Sequence, residues 1–190
     1  MTKSMMKPVF WQKGNGDMMA SILRQLDGAA ARAAIPALAD ILVDVVEHGA
    51  SVNFLAGFSH ADAAGYWQGQ LDGIDAGSRV LVVAELDGHI VGTVVVTFAP
   101  QPNGQHRAEI GKMLVHSSAR RRGIGRQLLA AAETVAREAG KTLLHLDTQT
   151  GSAGEALYRA TGWIEYGVMP GHSLTPDGRL EAATFFYKTI

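Results

Sequence analysis

The stretch Leu114-Val115-His116-Ser117-Ser118-Ala119-Arg120-Arg121-Arg122-Gly123-Ile124-Gly125-Arg126 carries the strongest chemical signal in the chain. An apolar run ends, small residues follow, and a helical pattern opens on alternating glycines, Gly123 and Gly125. Glycine lets backbone approach a ligand closely, and the first turn of a helix leaves amide donors without partners. Those amides, with the positive end of the helix dipole, favour a phosphate. Arg120, Arg121, Arg122 and Arg126 crowd the same end, where each exposed positive charge opposes the dipole by roughly 0.3–1 kcal/mol. A bound anion reverses the sign of that effect. Taken alone, the arginine run also has a plain reading as a solvated loop. The turn lacks the Gly-Lys-Ser/Thr of a P-loop, and no acidic ribose partner follows about 20 residues on. An isolated basic patch without interleaved aromatics does not make a nucleic-acid surface.

Three further side chains have types suited to proton transfer. Asp147 ends the run Leu143-Leu144-His145-Leu146, at the C-terminal end of a predicted strand, where open α/β sheets bind ligands. It is not expected to serve the apolar face that Leu143, Leu144 and Leu146 fill. Glu109 lies within a predicted strand, and its plain reading is an exposed residue paired with Arg107 or Lys112. Tyr158 lies in a short predicted helix, where core packing is the plain reading and proton donation the functional one. The histidines are scattered and cysteine is absent, so no metal site, disulfide or thiol chemistry is predicted. Ser117 and Ser118 show no His/Asp arrangement for acyl-serine chemistry. His145 and His172 are read as hydrogen-bonded structural residues and Trp163 as core; Trp11 and Trp67 belong to no motif.

The elements that must position these groups follow from periodicity. Residues 1–19 show none and read as a poorly ordered lead-in; 20–190 read as a single domain. A short strand is expected at Ser21–Leu26. Helical spacing of Ile35, Leu38, Ile41, Leu42, Val45 and Val46 predicts a helix over Ala29–Glu47, with Pro36 in its first turn and His48-Gly49 ending it. A helix over Ser59–Leu71 with Ser59 as cap follows. Strands are expected at Val80–Glu85 and His89–Ala99, joined by Leu86-Asp87-Gly88, and at Arg107–His116. Then come a helix Gly123–Ala139, a strand Leu143–Asp147, a helix Ser152–Ala160 and strands at Trp163–Val168 and Thr184–Thr189. This order predicts an α/β (α+β) protein, an open mixed sheet with helices on both faces. The net charge of −1 argues against general attraction to nucleic acid or membrane. With no signal-peptide pattern and no apolar run near the roughly 20 residues of a membrane helix, a cytoplasmic location is expected.

The string Arg120-Arg121-Arg122-Gly123-Ile124-Gly125, after Met113-Leu114-Val115, resembles the Arg/Gln-x-x-Gly-x-Gly/Ala signature of the GNAT family of N-acetyltransferases. Asp147-Thr148, Gly151-Ser152, Ala156-Leu157-Tyr158 and Gly162-Trp163 resemble the family's next stretch. The resemblance implies an acyl-CoA N-acyltransferase fold with a twisted sheet of about six or seven strands, and acetyl-CoA as cosubstrate. It implies that Met113–Val115 splays from Leu143–Asp147 so that the pantetheine arm pairs with Met113, Leu114 and Val115. The amides from Arg120 to Arg126 would hold the pyrophosphate, and the helix end at Ser152 would face the same cleft. Tyr158 would act as general acid on the departing thiolate, and Glu109 with Asp147 as general base on a small-molecule amine. Within the family, His48 to Val52, Pro102-Asn103-Gly104, Arg107-Ala108-Glu109, Leu143 to Thr148, Pro170-Gly171-His172 and Thr175 to Leu180 are similar to the tabtoxin-resistance acetyltransferases, whose acceptor is tabtoxinine-β-lactam. The match thins over Phe54–Ile74, and His172 stands where those proteins carry an aromatic. Acetylation of a protein N-terminus or lysine would need an open groove, whereas the Pro170–Leu180 loop looks like a cap over a small cleft. A non-catalytic acyl-CoA sensor would have no use for Glu109 and Tyr158.

Overall fold

The computed structural model describes residues 21–190; the lead-in 1–19 and Trp11 lie outside the described residues. In chain order the elements are β1 (Ile22–Leu26), α1 (Gly28–Glu47), α2 (His60–Gln68), α3 (Leu71–Asp75), β2 (Arg79–Leu86), β3 (His89–Phe98), β4 (Arg107–Val115), α4 (Ile124–Glu138), β5 (Leu143–Gln149), α5 (Ala153–Ala160), β6 (Ile164–Leu174) and β7 (Leu180–Thr189). The strands form one seven-stranded sheet in the order β1-β2-β3-β4-β5-β7-β6. Among the described strands only β4 and β5 pair in parallel; the other neighbours are antiparallel.

β2 and β3 are buried on both faces, which is why they read as unbroken β-branched runs. Val80, Val82, Val94 and Val96 pack with Leu128 and Leu129 of α4. Leu81, Val83 and Val95 pack with Leu38, Ile41 and Leu42 of α1. At about 1.5–3 kcal/mol for each fully buried aliphatic side chain, this two-sided packing fixes the centre of the sheet and its register. Asp87 and Gly88 take φ values of 53° and 79°, as a two-residue primed hairpin turn requires.

Several expectations are corrected. Pro36 lies inside α1, not in its first turn. It points to solvent, so the carbonyl it leaves unpaired can be hydrated, while Ile35, Leu38, Ala39 and Leu42 carry the buried stripe past it. The single helix expected over Ser59–Leu71 is two, broken at Gly69 and Gln70. Ser59 does cap α2, in a capping box with Asp62. Leu143 is half-buried and shares its face with His145 and Asp147, while Leu144 and Leu146 fill the core beneath α4. The loop expected at Pro170–Leu180 is largely strand: β6 runs on to Leu174, and only Thr175 to Arg179 turns. Pro170 and Gly171 are tolerated because β6 is the sheet edge and its register slips between Met169 and Ser173.

Candidate active site

A forked strand pair creates the site. β4 and β5 pair only at Arg107↔Leu143, Ala108↔Leu144 and Glu109↔His145. Beyond that point β4 stays with β3 up to Val115, and β5 stays with β7 up to Gln149. A bulge bends β4 away. Its register slips opposite Thr93–Val95, Lys112 takes φ +45°, and the Thr93 hydroxyl donates to the Lys112 carbonyl at 2.7 Å. Met113, Leu114 and Val115 therefore border the fork, with no ladder to β5. The Leu114 side chain is buried toward α1, so only its backbone is available there. The Val115 carbonyl already accepts from Arg120 Nε at 3.2 Å.

The turn after β4 leads into α4 through Arg121 at φ +62° and Gly123 at φ +78°. Asp27, Ser59 and Ser152 each cap the helix that follows them with a side-chain oxygen. Gly123 supplies none at α4, and no acid stands in that helix's first turn. The first-turn amides of α4 are thus left for an outside acceptor. Arg120, Arg121, Arg122 and Arg126 are exposed around them, whereas Ile124 is buried beneath the sheet and offers only its backbone. These features fit a coenzyme A diphosphate.

Asp44, in the last turns of α1, anchors the same turn from below. It accepts from the Ser117 amide at 2.7 Å and the Ser117 hydroxyl at 2.6 Å. His48 Nδ1 and His116 Nε2 lie 3.3 and 3.6 Å from its Oδ1. Burial raises the Asp44 pKa, but the Ser117 bonds and the two histidines outweigh it, and the net shift is downward. His116 Nδ1 in turn lies 2.8 Å from Ser118 Oγ and accepts from the Ser118 amide. His116 thus caps the short 3-10 turn Ser117–Ala119, and Asp44 holds Ser117 within it.

Glu109, Asp147 and Tyr158 meet around one cavity of about 140 Å³, together with Lys112, Met113 and Thr148. Glu109 is exposed and forms no ion pair among the described residues with Arg107 or Lys112. Asp147 is half-exposed, with His172 Nε2 at 3.9 Å; the His172 ring packs edge-on against Phe185. Tyr158 is buried against Trp163 and Phe186, and its hydroxyl reaches Met113 Sδ at 3.9 Å. Burial, reinforced by the charge of Asp147, raises its pKa above the usual phenol value. Ser152 caps α5 through Glu155 N at 3.1 Å and contacts Thr148, so its oxygen is already engaged. Trp163 is core and donates to Glu133; Trp67, also core, donates to the Leu38 carbonyl. A larger cavity, about 450 Å³, lies between the end of α1 and the β6–β7 tip but holds none of the predicted residues.

Two residues of the site were not singled out from sequence. Lys112 appeared there only as a partner for Glu109, and Asp44 not at all. Neither sits in a motif. Among the described residues no group of His, Cys, Asp and Glu could hold a metal, and no helix is long and apolar enough to cross a membrane.

The acetyltransferase (GNAT) family model matches residues 50–163, and the chain belongs to that family. Among solved structures, it is 30% identical to the ribosomal-protein-alanine N-acetyltransferase of Brucella melitensis, over 88% of this chain and 99% of that one, with a TM-score of 0.71. A candidate acetyltransferase of Salmonella typhimurium, solved with its cofactor acetyl-CoA, shares the fold at 19% identity, 89% and 93% coverage and a TM-score of 0.72. A candidate phosphinothricin N-acetyltransferase does so at 20% identity, 89% and 98% coverage and a TM-score of 0.72. The protein is accordingly an acetyl-CoA-dependent N-acetyltransferase.

Proposed function

We propose that the protein acetylates the amine of a small molecule held in the Glu109–Asp147–Tyr158 cavity, with tabtoxinine-β-lactam as the first candidate. Bound acetyl-CoA supplies a thioester, an acyl carbon activated toward an amine. The first-turn amides of α4, with Arg121, Arg122 and Arg126, hold the diphosphate, and Arg120 secures the Val115 carbonyl beside it. Backbone at Met113 to Val115 holds the pantetheine arm along the open side of β4. An alkylammonium must lose a proton before its nitrogen can attack. Glu109 and Asp147 draw that cation in and take the proton, directly or through a water. The Tyr158 phenol, kept protonated by its burial, donates to the sulfur as negative charge develops there.

The observation that carries this reading is the convergence of the three proton-transfer groups on one small cavity beside the fork. Its covering supports a small acceptor. Ser51 donates to the Leu174 carbonyl at 3.0 Å and meets Ser173 Oγ at 3.1 Å, and Ala56 N donates to the Pro176 carbonyl at 2.8 Å. The segment after α1 is thereby tied to the β6–β7 tip across the acceptor side. The name of the Brucella relative favours a second reading, acetylation of a protein N-terminus. Thiol release from acetyl-CoA, screened against tabtoxinine-β-lactam, amino acids, polyamines and peptides, separates the two. Release with a small amine supports the first reading; release with peptides alone supports the second.

A further inference from the structure

Lys112 is the charged group of the cavity to which the proposed chemistry gives no task. Its ammonium lies 5.8 Å from the Phe54 ring centre and 5.3 Å from that of Tyr66, so the segment after α1 and helix α2 cover it with aromatic faces. It makes no hydrogen bond or ion pair among the described residues; Asp147 and Glu109 act on its charge from a distance. Burial, the larger influence, lowers its pKa, and those two carboxylates partly restore it. The side chain lines the cavity, which is where its N–H donors can still find an acceptor. An acceptor on a ligand there would take the place of water at the half-buried ammonium in a charge-assisted hydrogen bond.

The backbone offers a second, independent observation. Lys112 occupies the β4 bulge at φ +45°, a conformation unfavourable for any residue with a Cβ. Gly111 stands next to it and could have taken that place at no such cost. A strained residue of this kind persists where the surrounding structure holds its backbone in place, and such residues gather at functional sites. The bulge turns position 112 toward the cavity that Glu109 and Asp147 also line.

We propose that Lys112 binds a carboxylate carried by the acceptor close to its reacting amine, so that the preferred acceptors are amino acids. The inference rests on the reading of this cavity as the acceptor site. Two carboxylates and one unpartnered lysine around a small space complement a zwitterion: the acids receive the ammonium and Lys112 the carboxylate. A diamine would bring a second positive charge against Lys112. A peptide N-terminus would present an amide carbonyl where the carboxylate belongs. A mismatched ligand that displaces water from the cavity leaves the half-buried charge unpaired, which strengthens discrimination of this kind.

The test compares kcat/KM for free amino acids and tabtoxinine-β-lactam with that for their α-carboxamides, in the wild type, Lys112→Met and Lys112→Arg. Thermal melting and coenzyme A affinity verify that each variant is folded. The wild type should favour the carboxylate member of a pair by about tenfold or more, the scale of one charge-assisted hydrogen bond. Lys112→Met should bring the pair to parity by slowing the acid and sparing the amide, and Lys112→Arg should keep a preference. Should Lys112→Met fail to fold, the wild-type ratio and Lys112→Arg decide. Wild-type turnover of amides or plain amines as fast as of the acids overturns the inference and leaves the small-amine reading standing, as does a preference that survives in Lys112→Met. Acetylation of peptides alone removes both.

Discussion

Replacing Asp44 tests how α1 holds the cofactor turn. Its side chain is 11% exposed, and it accepts from both the amide and the hydroxyl of Ser117. Asp44→Ala removes both acceptors and leaves two donors in a half-buried place. With charge-assisted bonds worth roughly 1.5–3 kcal/mol each, and water able to reach Ser117 in part, the expected loss is about 3 kcal/mol. For a domain of this size each kcal/mol shifts melting by roughly 2–4 °C, so a drop of about 6–12 °C is expected. Asp44→Asn keeps the shape: its oxygen accepts from the Ser117 amide and its NH₂ donates to the hydroxyl. Only the charge is lost, and the expected cost is about 1 kcal/mol. The pH dependence follows from the lowered pKa of Asp44 in the folded state. A depressed carboxylate stabilises at pH above its unfolded value and loses that contribution as pH falls through the folded one. The gap between wild type and Asp44→Asn should therefore hold at neutral pH and close in acid, below the ordinary aspartate value of about 3.9. Urea unfolding at a series of pH values reads this, and calorimetric titration with coenzyme A should show weaker binding for Asp44→Ala. Equal stability of Asp44→Ala and wild type at neutral pH would refute the reasoning, because no other described acceptor serves the Ser117 donors.

Tyr158→Phe should lower kcat by about 100-fold, within the usual range for a general acid, with coenzyme A affinity unchanged. Among the described residues its hydroxyl bonds only to Met113 Sδ, so melting should scarcely move, and steady-state kinetics beside a melting curve would expose a merely structural role. Gly123→Val adds a side chain where φ is +78°, and beyond the neighbouring backbone the nearest atom to its Cβ is Gln127 Nε2 at 4.0 Å. Stability should fall by only about 1–2 kcal/mol while coenzyme A binding, followed by calorimetry, is lost. Glu109→Gln and Asp147→Asn should each reduce kcat/KM by about tenfold or more, and the double variant by less than the product, because the two serve one proton. Full additivity would place them in separate roles.

Much of the fold and half of the site were legible in the chain, and the division has a physical cause. Alternating faces, caps and turns depend on residues a few positions apart. Hence Ser59, Asp87-Gly88 and the Gly123-Ile124-Gly125 opening of α4 declare themselves locally, and β2 and β3 show their two-sided burial as unbroken apolar runs. Breakers mislead where a sheet edge absorbs them, as at Pro170 and Gly171, or where a buried stripe runs past them, as at Pro36. What sequence could not show is which distant groups share a space. Asp44 meets Ser117 across 73 positions, and the fork after Glu109 exists because β4 bends at a bulge while β5 stays with β7. Lys112 becomes an unpartnered charge only when Phe54 and Tyr66 fold over it. Local amides and periodicities thus determined that a strand, an anion-binding turn and a helix follow one another. Tertiary packing decided what faces them, because a buried charge takes its meaning from its neighbours in space.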